Sequence, residues 1–132
     1  MQSRRLALSL VLAASPLAAS GCFLIAAGAG AAGAIAYTNR GATSSVAGTV
    51  DQAFDRAVAA FQQAGITETG RTTEDSGRQR KLIGTKGEYE VTAELNRATD
   101  STTKVEITAR KSAVEYDKEM AKDILNRILT KS

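Results

Sequence analysis

The side chains able to do chemistry in this chain are few, and their spacing excludes more than it offers. Its 132 residues include no His and a single Cys, Cys22. Without imidazole there is no Ser-His-Asp or Cys-His relay, no His-ligated zinc and no histidine pH switch. One thiol excludes a disulfide framework and a four-thiolate metal site. Glu88, Glu90 and Glu94 share one face of a strand pattern. Paired carboxylates are raw material for general acid–base work, but on a solvent-facing strand they read as a hydrated surface. Glu74-Asp75 and Asp117–Glu119 lack the ordered Asp/Asn/Gly spacing of a calcium loop. Gly28-x-Gly30-x-x-Gly33, with Asp51 downstream, has the form of a dinucleotide fingerprint. That motif needs a buried strand before it and a βαβ unit around it, and neither is present. Arg78, Arg80 and Lys81 form a small basic patch with no interleaved aromatics, and Ser44-Ser45 has no base beside it. We therefore expect no catalytic, cofactor-binding or metal-binding residues.

The amino-terminal residues carry a different kind of chemistry. Arg4-Arg5 precede an uncharged run from Leu6 to Ser20, broken by Pro16 near its end. A short basic region, an apolar stretch and small residues before a cut describe a secretory signal. The run is shorter than the ~20 residues that span a bilayer with ease. Ala19-Ser20-Gly21-Cys22 resembles the bacterial lipobox, with small residues at the three positions before an acceptor Cys. The resemblance implies a diacylglyceryl thioether on Cys22, cleavage between Gly21 and Cys22, and acylation of the new amino terminus. Several chains make a stable anchor where one holds only marginally, because each buried methylene contributes ~0.8 kcal/mol. Phe23, rather than Asp, after the Cys resembles the Gram-negative pattern that sends such proteins to the outer membrane.

Removing residues 1–21 takes Arg4 and Arg5 with it, so the formal charge of +3 belongs mostly to the signal. Nucleic-acid binding, which wants a concentrated positive footprint, loses its compositional support. Residues 22–37 continue from the acylated Cys into an uncharged Ala/Gly run, FLIAAGAGAAGAIAY. Ala26, Gly30 and Ala34 recur at helical spacing and would let helix backbones approach closely in lipid. The run is short for a solitary span, so insertion beside the acyl chains, self-association or a flexible tether are its possible roles. Residues 38–48 are small and polar and read as a linker.

From residue 49 to 132 the patterning is that of a small folded domain. Thr49-Val50-Asp51-Gln52 has the form of a capping box, and Asp51 suits the first turn of a helix. Val50, Phe54, Ala57, Val58, Phe61 and Ala64 make one apolar stripe. Gly65 stands where a left-handed cap is wanted, which predicts a helix over 50–64. Residues 66–73 form a Thr-rich strand candidate interrupted by Gly70, and Asp75-Ser76-Gly77 marks a turn. Arg80–Ile83 is a second strand, with Gly84 to Gly87 as a tight connection. Tyr89, Val91, Ala93 and Leu95 then alternate with Glu88, Glu90, Thr92 and Glu94, and Val105, Ile107 and Ala109 alternate with charged or Thr positions. A loop over 97–101 joins these two strands. Charge pairing predicts Glu94 opposite Lys104 and Glu88 opposite Arg110, with Ala93 beside Val105 and Val91 beside Ile107. Met120, Ala121, Ile124, Leu125 and Ile128 form the inner stripe of a last helix that starts between Ser112 and Asp117. The fold class is α+β: a two-layer sandwich of about four antiparallel strands with two helices on one face, in the order α-β-β-β-β-α.

Across nearly its whole length the chain resembles a family of short bacterial envelope lipoproteins known only as a domain of unknown function. The features that carry this are Cys22 in its lipobox, the Ala/Gly run ending at Tyr37, the polar link and the Phe54–Phe61 helix closed by Gly65. The Gly87 hairpin, the Thr103–Ile107 strand and the Ile124–Ile128 helix also fit. The resemblance implies a fold and a lipid-anchored place in the envelope, facing the periplasm, and no activity. We expect a non-enzymatic interaction or structural module, held to membrane lipid through Cys22, that contacts an envelope protein or the cell wall. The competing class is a carboxylate-dependent hydrolase or transferase, which would need a cleft holding two carboxylates. Replacing Cys22 with Ser should leave an unacylated, unprocessed precursor. Mass spectrometry of the mature amino terminus checks this, and an unmodified Cys22 in the unsubstituted chain would refute the lipobox reading.

Overall fold

The computed structural model describes residues 34–130. Cys22, the cleavage residues Ala19, Ser20 and Gly21, and the packing positions Ala26 and Gly30 lie outside them. Strands β1 (Ala36–Tyr37) and β2 (Gly41–Ala47) precede helix α1 (Val50–Gln63). Strands β3 (Thr67–Glu74), β4 (Gln79–Lys86), β5 (Tyr89–Thr99) and β6 (Thr102–Arg110) follow, and helix α2 (Lys118–Thr130) closes the domain. All strands join one six-stranded sheet in the order β1-β2-β6-β5-β4-β3, and every pairing is antiparallel. The α+β class and the paired helices are as expected. The sheet gains two strands that the polar, small-residue composition of residues 36–47 conceals.

Helix α1 begins as its sequence dictates. The Gln52 amide donates to Thr49 Oγ1 at 3.2 Å and the Thr49 amide donates to Gln52 Oε1 at 3.0 Å, so two orphan donors are satisfied reciprocally. Gly65, at φ +72°, takes the left-handed conformation that ends the helix. Asp117 caps α2 by accepting from the Met120 amide at 2.9 Å. Both helices lie on one face of the sheet. Phe54 and Phe61 from α1 and Ile124, Leu125 and Ile128 from α2 join Leu82, Val91, Leu95, Val105 and Ile107 in one core.

The segment expected as a linker is strand β2, paired with β6 along its whole length. Ala42, Ser44 and Val46 point inward and are buried. Buried Ser44 is tolerated because its hydroxyl donates to the Ala34 carbonyl at 3.1 Å. Ala34 is thereby tied to β2, and Ile35 packs against the core. The last residues of the Ala/Gly run, Ala36–Tyr37, form the edge strand β1.

The hairpins also differ from expectation. The β4–β5 connection is Gly87-Glu88, and Gly84 to Lys86 remain in the strand. Gly84 is there because any Cβ would lie 2.6 Å from Ile66 Cγ2 and 2.8 Å from the Thr67 carbonyl. The β5–β6 pair closes through Asp100-Ser101 after an irregularity between Arg97 and Thr99. Its register is shifted by two from the charge-based one: Glu94 faces Glu106, Glu90 faces Arg110 and Asn96 faces Lys104. The shift places Leu95 opposite Val105, Ala93 opposite Ile107 and Val91 opposite Ala109. Exposed ion pairs contribute only ~0.2–1 kcal/mol each, so complementary large and small side chains in the core outweigh them.

The closest backbone approach in the sheet predicts its most sensitive position. A Cβ on Gly41 would stand 1.9 Å from the Ile107 carbonyl oxygen. Gly41→Ala should therefore destabilise the domain by about 3 kcal/mol or more, whereas Thr49→Ala, which removes one cap, should cost ~1 kcal/mol. Urea denaturation of the two variants side by side checks the ranking.

Candidate functional site

The helices cover one face of the sheet and leave the other to solvent, and the strand registers arrange that open face in rows. Thr43, Glu106, Glu94, Lys81 and Thr72 form one row across β2, β6, β5, β4 and β3. Gly41, Thr108, Thr92, Ile83 and Gly70 form the next. Arg110, Glu90, Thr85 and Thr67 form a third. The middle row carries no charge and short side chains, and the rows on either side carry long charged ones. The result is a groove across β6, β5 and β4 with a volume of about 280 Å³. Thr92, Thr108 and Ile83 line its floor, and Arg40 and Tyr116 also line it.

Ion pairs hold the walls. Lys81 Nζ lies 3.1 Å from Glu94 Oε1. Arg110 donates to Glu90 Oε1 at 2.9 Å. Glu106 and Arg40 have no ion-pair partner among the described residues. Outside the groove lining Lys111 Nζ lies 3.1 Å from Glu88 Oε2, and that carboxylate holds the pKa of the ammonium above its ordinary value. Glu94 and Glu90 stay 41% and 47% exposed, which keeps both in water. Two carboxylates facing each other across neighbouring strands were not expected from the sequence, and only the register reveals them.

The small basic patch divides in the structure. Lys81 faces the groove, but Arg80 turns to the helix side, with its guanidinium 3.6 Å from the centre of the Phe54 ring. Arg80 also donates to Asp51 Oδ1 at 3.0 Å, and its side chain is 18% exposed. Its Nε is buried without a hydrogen-bond partner. Arg80 is thus a lid on the core edge between α1 and β4, a role its alternation with Leu82 on β4 could have disclosed. A second depression of about 290 Å³ lies at the start of α1, lined by Thr49, Asp51, Arg78, Arg97 and Asp100. Most of its groups are engaged within the fold: Thr49 in the cap, Asp51 with Arg80, and Arg97 with Asp100, while Arg78 has no ion-pair partner among the described residues. Among the described residues no group of three metal-ligating side chains is brought together, and no helix is long and apolar enough to cross a membrane.

The groove makes a measurable demand on stability. Like charges directly opposite in a sheet are destabilising by ~0.2–1 kcal/mol. Glu106→Lys should therefore stabilise the domain by about that amount at low ionic strength, with the gain shrinking as salt is added. Chemical denaturation at two salt concentrations reads both effects.

A family model described as a protein of unknown function (DUF3568) matches residues 5–131. No curated protein matches the sequence.

Proposed function

We propose that this chain, which belongs to that family, is a lipid-tethered envelope module that works by contact through its open sheet face. The observation that carries the reading is the groove between the rows of Glu106, Glu94 and Lys81 on one side and Arg110 and Glu90 on the other. Antiparallel sheets leave one face to water, but here that face combines an uncharged floor with walls of both signs. The tether rests on the lipobox resemblance of Ala19-Ser20-Gly21-Cys22. It would hold the domain at the periplasmic surface of a membrane, with the outer membrane favoured by Phe23. Confinement raises effective concentration, so a weak contact suffices. Balanced charge on the face gives a polyanion such as nucleic acid no consistent attraction. Residues 23–37 offer a second contact, self-association in lipid through Ala26 and Gly30. Ala34 belongs instead with the folded domain, through its bond to Ser44.

Catalysis at the same face is the second reading, and Glu94 opposite Glu106 is the observation that favours it. Carboxylate chemistry needs the two groups pushed apart in proton affinity by a dry cleft, whereas this groove is open and partly neutralised by Lys81 and Arg110. Contact is therefore the better fit. In intact cells, cross-linking followed by identification of captured material should give one dominant partner with the unsubstituted chain. Capture should be lost with Thr92→Arg, which fills the groove floor, and with Cys22→Ser, which removes the tether. Capture unchanged by Thr92→Arg would move the contact off this face.

A further inference from the structure

Resting on the open face as a contact surface, we infer that the groove binds a neutral, polyhydroxylated chain: a glycan strand laid across the sheet. Three features of the groove select this chemistry. The first is charge. Arg40, Lys81 and Arg110 and Glu90, Glu94 and Glu106 line one space, so a ligand of uniform sign meets its own sign on both walls. A hydroxyl both donates and accepts, and can bond a guanidinium or ammonium and a carboxylate at once. Such charge-assisted bonds are the stronger class.

The second feature is the floor. Thr92 and Thr108 are direct partners across β5 and β6, and Ile83 follows on β4. This strip offers two small hydroxyls and one apolar side chain, a surface on which the C–H face of a sugar ring rests. Tyr116, bridged to Arg110 in backbone pairing, lines the same groove and supplies an aromatic face with a polar tip. The third feature is shape. The uncharged row ends at Gly70 on β3, which raises no side chain across the path, while Arg40 and Tyr116 flank the opposite end beside Gly41. From Thr108 on β6 to Gly70 on β3 the uncharged row crosses three strand spacings, about 14 Å, which suits a chain more than a single small molecule. A peptide running across the strands would leave its backbone unpaired with the sheet, unlike one added along an edge.

The test uses the full-length chain in detergent, labelled for amide NMR, with a tetramer of β-1,4-linked N-acetylglucosamine as the probe. Trilysine, triglutamate and a neutral Ser/Ala tetrapeptide serve as comparators. The expected result is shifts confined to Ile83, Thr92, Thr108, Tyr116 and their neighbours, with a dissociation constant of roughly a millimolar or tighter. Thr92→Arg and Tyr116→Ala should each weaken binding about tenfold, a factor worth ~1.4 kcal/mol, while far-ultraviolet circular dichroism stays unchanged. The second variant keeps the test informative should the first disturb the strand. No shifts with the tetramer, or equal binding of any comparator, overturns the glycan assignment. In that case, cellular capture that still depends on Thr92 leaves the contact reading standing with another partner. Cleavage of the tetramer, read by mass spectrometry, would support the ligand class and overturn the non-enzymatic reading.

Discussion

Leu95 opposite Val105, Ala93 opposite Ile107 and Val91 opposite Ala109 settle what both faces of this sheet can be. The inner face fits large against small, and the two helices close over it. Because side chains alternate strictly along a strand, the same register puts Glu94 against Glu106 outside. The opposition costs little in water and cannot be relieved by sliding one residue, which would carry the apolar set into solvent. A slide of two would rebuild the charge pairs but place Leu95 opposite Thr103. The buried Thr103 hydroxyl instead donates to the Gly48 carbonyl at 3.1 Å, tying β6 to the end of β2.

Around that register, close approach does much of the remaining work. Gly41 brings β2 against the Ile107 carbonyl, and Gly84 makes room under Ile66 and Phe61 at the end of α1. Helix α1 leaves β2 near one edge of the sheet and delivers the chain to β3 at the other. Its cap at Thr49 and its stop at Gly65 therefore position both the β3 edge and the core. Arg80 stacked on Phe54 seals this crossing where an aliphatic residue would have no reach to Asp51.

The division of labour between the faces bears on function. Most of the large apolar side chains hold the helices to the sheet, and on the open face the groove is lined by one aliphatic residue, Ile83. What remains open is polar, shallow and balanced in sign. Such a surface gives specificity through directed hydrogen bonds more than affinity through burial. A tether that supplies concentration complements this, since the contact itself need not be tight.

Periodicity made much of this legible in the sequence alone. The capping box at Thr49, the Phe54–Phe61 stripe, the Gly65 stop and the alternation through β5 and β6 are local signals, set by backbone geometry over a few residues. The lipobox resemblance at Cys22 and the absence of His are likewise properties of the chain itself. Tertiary structure decided what depends on partners distant in sequence. Residues 41–47 carry small and polar side chains that look like a linker, and become a strand only because β6 offers a ladder and Ala34 satisfies Ser44. Arg80 looks like part of a surface patch until Phe54 lies beneath it. The groove exists only when β4, β5 and β6 are in register, because a row across a sheet has no period along the chain. Charge pairing between two strands is too weak to select that register, whereas packing of the whole core is strong enough, and packing is visible only once the helices are in place.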